Sequence, residues 1–131
     1  MDKVPSIFDW VNARNACSTR SVFESLKHGA TGDVKVINSL RGNTLFAVET
    51  DPSGDLFSVV SQESSPQRTV NFSLADTEIA IKTSSGASFR VTLALNDLGE
   101  CKVKIKGRDE ELELWQVLRI ALEDLFFHSA S

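Results

Sequence analysis

An α+β fold follows from two features of this sequence. Apolar residues recur at helical spacing near both ends of the chain, and between them they recur at every second position. The 131 residues match the size of one ordinary domain. We read residues 1–131 as a single α+β domain: N-terminal helices, a six-stranded antiparallel meander, and a long C-terminal amphipathic helix packed on the sheet.

At the N-terminus, Ser6 followed by Asp9 has the form of a capping box, and Ile7, Trp10 and Val11 share one helical face. A break is expected from Asn15 to Ser18. Ser18 or Ser21 then caps a second helix, with Glu24 three residues beyond Ser21. Val22, Phe23, Leu26, Ala30, Val34, Ile37 and Leu40 continue in helical phase. Gly29 and Gly32 interrupt this run, each at about 1 kcal/mol relative to Ala. Residues 29–40 admit two readings, a continuous helix or a helix ending near His28 with a short strand at Val34–Ile37. The first is preferred because the apolar phase survives both glycines.

From Thr44 the period becomes two. Phe46 and Val48 form the first alternation, and Asp51-Pro52-Ser53-Gly54 makes a turn before Phe57 and Val59. Ser64-Ser65-Pro66 is a loop, followed by Val70, Phe72 and Leu74, then Ile79 and Ile81. Turns at Thr83–Gly86 and Asn96–Gly99 flank Phe89, Val91, Leu93 and Leu95, and Cys101, Val103 and Ile105 complete the set. Short links between all six runs predict an antiparallel meander with one packed face and one wet face. Gly107 ends the sheet, and Asp109 is expected to cap the last helix, with Glu110, Glu111 and Glu113 in its first turn. Leu112, Trp115, Leu118, Leu122, Leu125 and Phe126 trace its apolar stripe, and Ser129–Ser131 should fray.

The composition is 41% hydrophobic with a net charge of −4. No apolar run reaches the roughly 18–20 residues of a membrane span, so no membrane partner is expected. An acidic balance argues against nucleic acid, which needs a concentrated basic surface. Charge is uneven: residues 1–43 carry six basic and four acidic side chains, whereas residues 108–131 carry two and six. Pro5 and Asp9 interrupt the stretch where a signal peptide needs continuous apolar character, which makes the cytoplasm the expected location. Two cysteines are too few for a disulfide framework, and Cys101 reads as a small core residue. In a cytoplasmic chain the acceptor pattern Asn71-Phe72-Ser73 carries no meaning.

The inventory for catalysis is thin. Cys17 and His28 would lie about 16 Å apart on a continuous helix, beyond hydrogen-bond reach, and His128 is almost terminal. Asp51–Asp55 resembles the start of a calcium loop but lacks the later ligands, so turn chemistry explains it. Gly29-Ala30-Thr31-Gly32-Asp33 follows a helix and lacks the lysine of a phosphate loop. Asp97 with Glu100, and Asp109 through Glu113, have structural explanations at a hairpin tip and a helix start. Lys102, Lys104 and Lys106 share one strand face and read as a solvated or guarded edge. No catalytic residue, metal ligand or cofactor is therefore expected, and the chain is not expected to be an enzyme.

The expectation is a protein-interaction or adaptor domain that binds a protein partner or itself, most simply as a homodimer. Trp10 sits on a short helix, and adjacent Phe126 and Phe127 cannot both face inward on one helix, so these three are the candidate interface residues. The alternative is a binder of small apolar ligands in a cavity between sheet and C-terminal helix, lined by Phe57, Phe72, Phe89 and Trp115.

Overall fold

A computed structural model of the chain describes residues 9–62 and 67–127. The expectations placed on Ser6, Ile7, Ser64–Pro66, His128 and Ser129–Ser131 fall outside these residues. The elements run α1 (Trp10–Ala16), α2 (Thr19–Arg41), β1 (Phe46–Thr50), β2 (Leu56–Ser61), β3 (Thr69–Leu74), β4 (Ile79–Lys82), β5 (Ser88–Leu95), β6 (Cys101–Ile105) and α3 (Leu114–Phe127). The strands form one antiparallel sheet in sequence order, as the short links require.

Period-two alternation places Phe57, Val59, Val70, Phe72, Ile79, Ile81, Val91, Val103 and Ile105 in the core. Val22, Phe23, Leu26, Ala30, Val34 and Ile37 of α2 cover them, together with Val117, Leu118, Ala121, Leu122, Leu125 and Phe126 of α3. The Phe57 and Phe72 rings stack at 4.4 Å, and Phe23 closes on Phe57 at 5.3 Å. Helix α2 runs unbroken through both glycines. Ser18 caps it by accepting from the Ser21 N–H, and Gly42 ends it at φ 66°, a left-handed conformation that glycine adopts without a Cβ clash.

Gly29 sits in mid-helix because α3 passes close by. A Cβ built there would lie 2.6 Å from Leu118 Cδ1, whereas one at Gly32 meets nothing within 4 Å. The expected irregularity at Gly29–Asp33 is thus a helix-crossing point in regular helix.

Both sheet edges are occupied locally. The Gln62 N–H donates to the Leu45 carbonyl, which by antiparallel alternation turns the Phe46 backbone groups outward. The Asn38 amide meets them: Oδ1 accepts from Leu45 and Phe46 N–H at 3.0 and 3.1 Å, and Nδ2 donates to Phe46 O at 3.0 Å. At the other edge, Leu112 and Val103 exchange two backbone hydrogen bonds.

That bridge corrects the expected start of the last helix. Residues 110–113 run beside β6 instead of forming a first helical turn, so Asp109 is no cap and the glutamates do not meet a helix dipole. Pairing with Val103 satisfies the strand edge and buries Leu112, and a helical turn would give up both. The helix begins at Leu114, where Gln116 Oε1 accepts from the Glu113 N–H.

Five side chains also depart from the roles expected of them. Cys17 and Cys101 are joined in a disulfide across 84 residues, and Cys101 is exposed at the start of β6. Cys101 is the first residue of the edge strand β6, where the bond to Cys17 takes the place of core packing. Trp115 is exposed because the apolar stripe of α3 is wider than the surface covering it; the indole lies on the stripe's flank, in the first turn. Leu40 is exposed in the last turn of α2. Phe126 packs inward edge-to-face on Phe46, with ring centroids 4.9 Å apart, which makes it core and leaves Phe127 outside.

Candidate docking groove

The strongest surface feature lies between α2 and α3. Their inner faces are spent on the sheet, yet each carries apolar side chains beyond the buried stripe. Val36 is 58% exposed, Leu40 76%, Trp115 61% and Phe127 62%. With Ile37, Leu118, Leu122 and Phe126 as floor, they line a groove of about 400 Å³. Scattered exposed apolar residues are normal on proteins, whereas a contiguous set marks a contact surface.

Charge sits at the groove's rim. Arg41 Nη2 donates to the Phe126 carbonyl at 2.9 Å, and its guanidinium lies 5.7 Å from the Phe127 ring centroid, fixing the end of α3. Arg119 pairs with Glu123 at 3.4 Å on the exposed side. Asp33 has no cation among the described residues, and partial burial pushes its carboxyl above the usual aspartate range.

Of the candidate interface residues, Phe127 lines this groove and Phe126 forms its floor, while Trp10 lies apart on α1, 62% exposed. Of the four residues placed around a ligand cavity, Phe57 and Phe72 stack on each other in the core, Phe89 is half-buried against it, and Trp115 lies in the groove. Val36 and Leu40 were the residues sequence reasoning missed. Leu40 continues the buried phase of α2, so only its position past the covered surface marks it as groove-forming.

A second cleft, of about 530 Å³, opens at the junction of α1 and α2 against β5, lined in part by Arg14, Cys17, Arg20, Asp76, Thr92 and Leu95. The carboxylate clusters resolve into local structure. Asp51 accepts from the Ser53 hydroxyl and N–H, which holds its carboxyl below the usual range. Glu100 accepts from Asn96 at 3.0 Å. Lys102 pairs with Glu113, and Lys106 reaches Glu78 at 3.5 Å. No described helix is long and apolar enough to cross a membrane. Comparison with family models, curated proteins and solved structures finds no match to this chain.

Proposed function

We propose that the chain is a non-enzymatic protein-interaction domain that self-associates as a homodimer through the α2–α3 groove. The observation that carries this reading is the contiguous exposed set Val36, Leu40, Trp115 and Phe127. A second copy suits the groove because its rim bears both signs of charge. A two-fold arrangement that sets Arg119 of each copy opposite Asp33 of the other gives each partly buried carboxylate a cation. Full burial of one such side chain contributes about 1.5–3 kcal/mol, and association costs roughly 4–15 kcal/mol. No single residue suffices, so the four act together and loss of one is felt.

A ligand between sheet and C-terminal helix would have to displace the Phe57–Phe72 stack, and no observation favours it over self-association. A cytoplasmic place of work belongs to the same proposal and requires a labile disulfide, because cytosolic thiols are held reduced.

Sedimentation over about 1 to 100 μM tests the reading by mass action. The wild-type chain is expected to shift from monomer to dimer, while Leu40→Asp and Phe127→Asp remain monomeric with unchanged circular dichroism. A wild-type monomer at the highest concentration overturns self-association. Undiminished dimerisation of both variants places the interface elsewhere.

A further inference from the structure

We propose that the Cys17–Cys101 disulfide is a thiol–disulfide exchange site, at which a dithiol reductant attacks Cys101 and thereby releases α1 from the sheet. Four observations converge on this bond. Access is one-sided: Cys101 is exposed on the edge strand, whereas Cys17 is 4% exposed. An incoming thiolate therefore approaches from the Cys101 side.

The leaving sulfur also lies near positive charge. Cys17 stands immediately before Ser18, the cap of the 23-residue helix α2, where the positive end of the helix dipole favours an anion. The Arg14 guanidinium is held beside it, with Nη1 donating to the Cys17 carbonyl at 3.3 Å. The N-terminal end of α2 favours negative charge on the departing Cys17 sulfur. Access and leaving-group stability thus select the same direction of attack.

The bond also has something to release. Helix α1 buries none of its residues and packs against β6, the strand that carries Cys101. Cys17 is its C-cap, so the disulfide lies at the joint between α1 and α2. Once the bond opens, α1 is a seven-residue helix without a buried face, too short to persist alone. Its departure widens the cleft that Cys17 and Arg14 help to line.

The chemistry balances within the two reactants. The reductant's first thiolate forms a bond to Cys101 Sγ as the Cys17–Cys101 bond breaks, and the electron pair leaves on Cys17 Sγ. The reductant's second thiolate then attacks its own sulfur in the mixed disulfide, expelling the Cys101 thiolate. The reductant departs as an internal disulfide, two electrons oxidised, and its two protons pass to the cysteine pair.

The exchange is read with glutathione, a monothiol that cannot close an internal disulfide, so that a prompt acid quench traps the mixed disulfide. Oxidised protein is treated under native conditions, quenched with acid, alkylated and mapped by mass spectrometry. Glutathione is expected on Cys101 and the alkyl group on Cys17, with at least about tenfold preference over the reverse. Glutathione on Cys17, an even distribution, or an adduct formed only in denaturant overturns the proposal.

Release of α1 is read separately, by trypsin cleavage after Arg14. Dithiothreitol is expected to accelerate it by about tenfold or more, and the Cys17→Ser/Cys101→Ser protein to be cut at the fast rate without reductant. Equal cleavage of oxidised and reduced protein refutes release.

Discussion

Asn38 shows how much one polar side chain can organise. Its amide substitutes for a neighbouring strand by serving Leu45 and both backbone groups of the buried Phe46. Asn38→Ala strands those groups at a buried edge and is expected to cost about 1–3 kcal/mol in urea unfolding. Asn38→Asp keeps the acceptor and loses the donor to Phe46, so it falls between. Glu78 is the second such residue. Arg90 Nη1 donates to it at 2.6 Å, and with Lys106 nearby this holds its carboxyl below the ordinary 4.5. A lowered folded value means that the contribution is complete above the unfolded value and fades as pH falls through the folded one. Glu78→Gln is therefore expected to lower stability at neutral pH and to match the wild type in strong acid, which thermal melts across that range will show. Neither role was legible in the sequence, because an isolated Asn or Glu carries no periodic signal and its partners are set by how elements meet.

Helix α2 carries the contrast between local and tertiary control. Its cap at Ser18, its apolar phase and its end at Gly42 act within a few residues; the phase was readable directly, the cap only as Ser18 or Ser21, and Gly42 was not singled out. The two glycines look alike in sequence and differ completely in space. Gly32→Ala fills open space and is expected to stabilise by about 1 kcal/mol through helix propensity. Gly29→Ala drives a methyl against Leu118 in the core and is expected to destabilise by about 1 kcal/mol net, overpacking outweighing propensity. Denaturant midpoints of the two variants should move in opposite directions; a shared direction refutes the close crossing. The start of α3 failed for a related reason. Asp109–Glu113 has every local sign of a helix beginning, but pairing of Leu112 with the open edge of β6 outweighed those small terms.

Across the whole molecule, the meander is held at both ends: one sheet edge is met by Asn38, the other by Leu112 and the cross-link to Cys17. The disulfide spans 84 residues, so its removal should cost about 2–4 kcal/mol through the entropy it withholds from the unfolded chain. Urea unfolding of Cys17→Ser/Cys101→Ser is expected to show that loss with the cooperative transition retained; an unchanged midpoint removes the cross-link from the stability of the domain. The groove belongs to this scale as well. Phe127 was expected at an interface from its adjacency to Phe126, yet the groove exists only because α2 and α3 lie side by side with apolar flanks left uncovered.

Fold class, strand count, the continuity of α2 and the turns were written in the chain itself, since periodicity and glycine-bearing turns act over a few neighbouring residues. Meander order followed from links too short for crossovers. The cysteine bond, the crossing at Gly29, the bridge at Leu112 and the exposure of Trp115 arose from the assembled molecule. Each depends on the distance between residues remote in sequence, and no local pattern encodes such a distance.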